Sequence, residues 1–250
     1  MVLRRIVAAL AAALSVAPLC FAAESGVDSA ANAQPIIVYY VQRLPFMGRD
    51  ADGNLTGLLI QPVAKAFAKA GVPLAWRESS TSRQLAIIES NTGRACSLGR
   101  YMTADRAAFA RFSVPFYQDA RWVGLANVNF KVSGHVRIAD LMADPHVTVL
   151  LKDDLKLGPY LDGLVAHMNA KRVGITSDFD QMIRMIEAGR ADFSFITGEE
   201  ETYYRDKLAL NEHDIKVIHF ADMPAGEKRY LMCSRLVGDA EMEKINAYLK

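Results

Sequence analysis

The sequence predicts an α/β protein of two doubly wound units, each a sheet flanked by helices. Three observations carry that reading. A continuous apolar and β-branched run stands at 36–41, the mark of a strand buried on both faces, and shorter, mainly apolar segments at 147–151 and 193–196 read as further buried strands. Between them lie segments whose apolar residues recur at helical spacing. Short turns rich in glycine, asparagine and aspartate separate the two kinds of segment, so strand and helix alternate along most of the chain.

In order, Ile36-Ile37-Val38-Tyr39-Tyr40-Val41 forms the first strand, directly after Pro35. Gly48, Asp50, Asp52, Gly53 and Asn54 supply turn chemistry over 45–57. Leu59, Val63, Ala66, Phe67 and Ala70 mark a helix over 58–70, and Gly71 stands where a helix C-cap belongs. Residues 73–78 read as a second strand. Ser80-Thr81-Ser82 caps a helix carrying Leu85, Ile87 and Ile88 that stops near 91–93, and 95–100 is the third strand. The second unit has a strand over 122–128, a short helix from 138, the strand over 147–151, a helix over 160–169 and a short extended piece at 174–177. An amphipathic helix over 178–188 carries Met182, Ile183 and Ile186 and is ended by Gly189. The methionines of this region read as core filler. After the strand over 193–196, the end of the chain is one more strand, 230–233, and a helix starting near Asp239.

The N-terminus reads as a cleavable targeting segment, with Arg4 and Arg5, an apolar run over 6–19, and Cys20-Phe21-Ala22, cleavage being expected after Ala22. Acylation of Cys20 is disfavoured, because Leu19 is bulky where lipoprotein processing takes a small residue. The run is short for a bilayer span, which needs about 20 apolar residues. The expectation is therefore a soluble periplasmic monomer whose residues 23–34 form a polar arm. The net charge of +1 becomes −1 once the two leader arginines are gone, and no basic cluster argues for nucleic acid. Cleavage leaves two cysteines, Cys96 and Cys233, which in an oxidising compartment are either a disulfide or a pair of buried thiols.

Several segments, in order and spacing, resemble the family of periplasmic solute-binding proteins that serve amino-acid transporters. They are Pro45-Phe46 followed by Asp52-Gly53-Asn54-Leu55-Thr56-Gly57, then Thr103-Ala104-Asp105-Arg106 with Phe112-Ser113-Val114-Pro115-Phe116-Tyr117, the most specific block. Glu187-Ala188-Gly189-Arg190-Ala191-Asp192 and Ile245-Asn246-Ala247-Tyr248-Leu249 complete them. The nearer likeness is to a divergent branch of unassigned ligand, carried by Cys96-Ser97-Leu98-Gly99 and Cys233-Ser234. The resemblance implies a two-lobed type II periplasmic binding protein fold, with 35–117 and 229–250 in lobe one and 118–228 in lobe two. It implies crossings near 116–121 and 225–229, a small-molecule solute in the cleft, and a membrane permease or sensor as partner.

It also implies roles. Arg106 forks onto a ligand carboxylate, a task that suits a planar guanidinium, and Thr103 caps the helix that starts there. Arg43 and Phe46, on the loop after the first strand, lie against the body of the ligand. Arg100 and Tyr101 end the third strand, at the carboxyl edge where open α/β sheets bind ligands. The competing readings are an exposed rim for these last four residues and a solvated helix face for Arg106. The strand carrying Cys233 is implied to run antiparallel beside the third strand, which joins Cys96 to Cys233 within lobe one.

Two departures bear on the ligand. Leu151-Lys152-Asp153-Asp154 stands where amino-acid binders carry a glycine and threonine turn, and Thr197-Gly198 where they carry an aspartate for the ligand's ammonium. A neutral Thr197 has no charge to offer, so a small carboxylate or amino-acid-like solute is expected rather than an ordinary α-amino acid. Glu199, Glu200 and Glu201 could stand in for that aspartate, but three adjacent acids read more readily as a solvated helix start, where the helix dipole favours acids. The competing function is an enzyme on the same fold, a cyclohexadienyl-dehydratase-like lyase. It requires a tuned acid or base in the cleft, and none stands out. His135, His146, His167, His213 and His219 lack metal-ligand spacing, and there is no P-loop, dinucleotide glycine motif or nucleophile elbow, so neither metal nor cofactor is expected.

Overall fold

The computed structural model describes residues 34–249 except 133, 134, 154 and 177. The expected targeting segment, 1–22, lies outside the described residues. The first part of the chain forms β1 (Ile36–Tyr40), β2 (Gly48–Arg49), β3 (Leu55–Thr56), α1 (Ile60–Ala70), β4 (Leu74–Glu78), α2 (Thr81–Ser90), β5 (Ala95–Arg100), α3 (Ala104–Phe109), β6 (Arg111–Phe112) and β7 (Tyr117–Gln118). Next come β8 (Trp122–Asn127), α4 (Ile138–Ala143), β9 (Thr148–Lys152), α5 (Pro159–Ala166), β10 (Lys171–Ile175), α6 (Phe179–Glu187), β11 (Phe193–Thr197), α7 (Gly198–Lys207) and β12 (Ile215–Ile218). The chain closes with β13 (Lys228–Cys233) and α8 (Asp239–Asn246).

Two large sheets result, one per lobe, beside a two-stranded β2-β3 ladder. The first runs β4-β1-β5-β13-β6, with β7 pairing the first residues of β13; the second runs β10-β9-β11-β8-β12. In the first sheet β1 is parallel to β4 and β5, whereas β13 returns antiparallel to β5. That return places Cys233 opposite Cys96, and the two are joined as a disulfide.

Both faces of each sheet are covered, and the two-residue alternation of a strand sorts side chains between them. In β8, Trp122 and Ala126 enter one core of the second lobe while Val123 and Leu125 enter the other. In β9, Val149 and Leu151 part from Leu150 in the same way. α6 covers one face with Phe179, Met182, Ile183 and Ile186, the spacing of a single helical stripe. In the first lobe α1 and α8 pack Val63, Phe67 and Ile245 against Ile36, Val38 and Leu231. Gly71 adopts the left-handed conformation (φ 64°) that ends α1, and its N–H reaches back to the carbonyls of Ala68 and Phe67.

Some expectations are corrected. The extended piece placed at 174–177 is β10, which begins at Lys171; it is an edge strand whose first two residues are exposed, so no apolar run marked its start. β12 was not expected at all, being a four-residue edge strand with a lysine in it. α7 extends through a polar segment to Lys207 rather than only starting at 199–201. Ser80 and Thr103 occupy the N-cap positions of α2 and α3, but neither side chain makes a capping hydrogen bond.

Candidate functional site

The chain crosses between the sheets twice, and the crossings lie side by side. β7 pairs with β13 at Tyr117 and Arg229, and the Asp119 N–H donates to the Glu227 carbonyl at 3.0 Å. Beside these crossings a cavity of about 400 Å³ opens between the lobes. Its first-lobe wall is Gln42, Arg43 and Leu44 after β1, Arg100 and Tyr101 at the end of β5, Arg106 on α3, and Arg229. The second-lobe wall is Lys152 and Lys156 after β9, Asp178, Phe179 and Asp180 at the start of α6, and Tyr203, Tyr204 and Lys207 on α7. The cleft therefore sits at the carboxyl ends of β1, β5 and β9, where an open α/β sheet presents its loops.

Arg106 is buried in this wall, 8% exposed, on a helix of six residues. Its Nη1 donates to the Tyr101 carbonyl at 3.0 Å, and among the described residues no carboxylate forms an ion pair with it. Desolvation by burial pushes its pKa below the ordinary arginine value, against weaker support from Asp105 and Asp162.

Arg43 is engaged differently. Its Nε donates to Glu200 Oε1 at 2.7 Å and its Nη2 to Oε2 at 3.1 Å, a fork across the cleft onto the other lobe. The guanidinium lies 5.3 Å from the Phe46 ring centroid and 5.2 Å from that of Phe179. Burial opposes its charge, but the Glu200 carboxylate outweighs that and leaves its pKa above the ordinary value. Glu200 is fully buried, which overturns the solvated reading of that acid. It stands third in α7, where its Oε2 accepts from the Thr197 N–H and hydroxyl, both at 3.2 Å, in a reciprocal cap of the helix.

Thr197 is consequently enclosed, with no exposed surface, and holds Glu200 rather than lining the cleft. Phe46 does not line it either. It is fully buried in the first-lobe core, with Arg229 4.2 Å from its ring centroid. Thr103 lies outside the wall at the head of α3. Arg100 and Tyr101 do line it. Arg100 is held from behind by Ser97 Oγ (2.6 Å) and Gln84 Oε1 (2.8 Å). The Tyr101 hydroxyl donates to Asp119 Oδ2 at 2.6 Å, and Asp119 Oδ1 accepts from Arg229 Nε. Burial first, and then the neighbouring Asp119 carboxylate, raise the Tyr101 phenol well above its usual pKa.

Glu199 and Glu201 are also engaged. Glu199 Oε1 accepts from the Tyr117 hydroxyl (2.9 Å) and the Ala120 N–H (2.7 Å), tying α7 to the first crossing, while Glu201 pairs with Arg205 one turn on. Asp119, Lys156 and Lys207 were not singled out from the sequence, and Glu200 was named only as one of three adjacent acids. Only Glu200 had a local signal, the Thr-x-x-Glu pattern that starts a capped helix. Among the described residues no three His, Cys, Asp or Glu side chains gather as a metal site requires.

No family model and no curated protein matches the sequence. Solved structures do match. An ancestral arginine-binding protein bound to arginine superposes with a TM-score of 0.66 at 19% identity, over 86% of this chain and 90% of that one. The arginine-bound form of a truncated ArgBP from T. maritima gives 0.67 at 18% identity, over 86% and 94%. The substrate binding protein of an amino acid ABC transporter gives 0.65 at 15% identity, over 86% and 92%. At these identities the likeness is one of architecture: the chain has the two-lobed, type II fold of the periplasmic binding proteins.

Proposed function

We propose that the chain binds a small carboxylate or amino-acid-like solute in the inter-lobe cleft, closes on it about the paired crossings, and delivers it to a membrane permease or a sensor outside the cytoplasm. The observation that carries this is Arg106, a buried guanidinium in the cleft wall with no carboxylate of its own among the described residues. A buried charge of this kind is stabilised by an anion brought from outside. The neighbours in structure space support the reading, since those bound to arginine hold their ligand within the same architecture. The lobes would be 35–117 with 229–250, and 118–228, a division supported by their separate sheets and cores. An extracytoplasmic location is supported by the leader-like N-terminus, and among the described residues no helix is long and apolar enough to cross a membrane.

Thermal denaturation of the protein against a panel of small carboxylates and amino acids tests the function. Saturable, one-to-one stabilisation is expected, about 2.7 kcal/mol at one hundred times Kd. The reading is overturned if no member of the panel binds, or if every binder is held equally well by Arg106→Ala.

A further inference from the structure

A guanidinium ion is planar and weakly hydrated, so the site that suits it offers a carboxylate for its fork and aromatic rings for its faces. Arg43 lies in such a site. Its Nε and Nη2 meet the two oxygens of Glu200 at 2.7 and 3.1 Å, while the guanidinium carbon lies 5.3 Å from the Phe46 ring centroid and 5.2 Å from that of Phe179. Phe46 belongs to the core of the first lobe, whereas Phe179 and Glu200 stand on helices of the second. The contacts run on to either side. Arg229 lies 4.2 Å from the Phe46 centroid, and Tyr204 stacks on Phe179 with centroids 5.8 Å apart and planes 18° from parallel.

Each half of the site is held by contacts of its own. Glu200 is fully buried and fixed by the Thr197 N–H and hydroxyl, both 3.2 Å from its Oε2, and Phe179 is buried as the first residue of α6. On the other side the Arg43 N–H donates to the Met47 carbonyl at 2.7 Å and the Met47 N–H to the Arg43 carbonyl at 3.0 Å, which fixes the loop after β1. Two halves held in this way on opposite lobes meet only when the lobes are together. A solute that bridges the lobes favours the closed form because it touches both; Arg43 makes such a bridge from within the chain. Being tethered, it reaches Glu200 at an effective concentration far above that of a free ion.

We propose that Phe46, Phe179 and Glu200 form a guanidinium-binding site across the lobes that the chain fills with its own Arg43, so that the lobes close before a solute is bound. This goes beyond the solute-binding reading, since it assigns a second site and a ligand class to it. Parting the lobes uncovers the Glu200 carboxylate and both rings, and closing them buries the guanidinium again. The closed form is populated in advance, so a solute has less closure left to drive.

Thermal denaturation and small-angle scattering of solute-free protein with N-ethylguanidinium chloride test the proposal, because that ion is the part of Arg43 that Arg43→Ala removes. In Arg43→Ala the ion is expected to raise the melting temperature and reduce the radius of gyration, both saturably and at non-denaturing concentrations. Ethylammonium, a cation without the fork, should need about tenfold more to match it. The wild type, whose site is filled, and the double variant Arg43→Ala with Glu200→Gln should show neither response. The proposal is overturned if N-ethylguanidinium fails to give both responses in Arg43→Ala beyond those of equal potassium chloride, or if the wild type responds as strongly. Should Arg43→Ala not fold, Glu200→Gln alone decides: it keeps the volume and loses the charge, so its radius is expected to exceed that of the wild type, and an unchanged radius overturns the proposal. No solute enters these measurements, so their failure is distinct from failure of the solute-binding reading.

Discussion

Arg43 and Glu200, 157 residues apart in the chain, form a two-point ion pair that joins the lobes, and both side chains are almost wholly buried. Such a pair is not a large net source of stability, but removing one partner leaves the other charged, buried and alone.

Arg43→Ala is therefore expected to destabilise the protein by about 3 kcal/mol, in the range seen when one member of a buried pair is removed. It should also loosen the contact between the lobes. Small-angle scattering of the ligand-free variant is expected to show a larger radius of gyration than the wild type. An unchanged radius would mean that the pair does not hold the lobes together.

Arg106→Ala removes a charge that makes one described hydrogen bond within the protein, to the Tyr101 carbonyl. Its effect on folding should stay within about 1 kcal/mol, a typical net value for one hydrogen bond. Ligand affinity should fall by about thirtyfold or more, the loss expected for one partner of a desolvated charge pair. Calorimetry and denaturant titration on the same sample separate the two effects, and a stability loss as large as the binding loss would make Arg106 a structural residue.

Gly226 lies where the crossings touch, and a Cβ added there would sit 1.9 Å from the Asp119 carbonyl oxygen and 2.6 Å from that of Ala120. Both obstacles are backbone, so Gly226→Ala is expected to push the crossings apart and destabilise the protein by about 2 kcal/mol or more. Gly163→Ala in α5 is the control. Nothing lies within 4 Å of its added Cβ, and alanine in a helix should raise stability by about 0.5–1 kcal/mol. Equal melting temperatures for the two variants would contradict the steric account.

Asp222 caps α4 from a distant loop, accepting from the Ile138 N–H at 2.7 Å, the Ala139 N–H at 3.1 Å and the Tyr160 hydroxyl at 2.9 Å. Burial works against its charge, but these bonds outweigh it and hold the carboxyl below its ordinary pKa. A lowered folded-state pKa means the unfolded chain binds more protons. The contribution is thus fully present above the unfolded value, near 3.9, and is lost as pH falls through the folded one. Asp222→Ala should cost about 1 kcal/mol at neutral pH and flatten the fall in stability below pH ~4, as read by denaturation across that range.

The Cys96 to Cys233 bridge ties the returning strand to the centre of the first sheet. Replacing both cysteines by serine should lower stability by about 2–5 kcal/mol. Alkylation of the exported, non-reduced protein should find no free thiol at either position, and labelling of both would reject the bridge.

Much of the fold was legible without coordinates, because an apolar repeat is a local property that the chain carries wherever it packs. The stripe of Met182, Ile183 and Ile186, the runs that became β1, β9 and β11, and the glycine at 71 each declare their element on their own. Edge strands such as β10 and β12 are short and carry lysine or arginine among their apolar residues, so no periodicity announces them. The site followed the same division. The family resemblance, not the local pattern, pointed to Arg106, Arg100, Tyr101 and Arg43 as cleft residues, and all four line the cavity. Only the tertiary structure decided that Arg43 is matched by Glu200, that Phe46 and Thr197 are enclosed, and that Asp119 is shared by Tyr101 and Arg229. Which charges neutralise one another depends on which surfaces the fold brings within hydrogen-bond distance. Partners more than one hundred residues apart leave no mark in either local pattern.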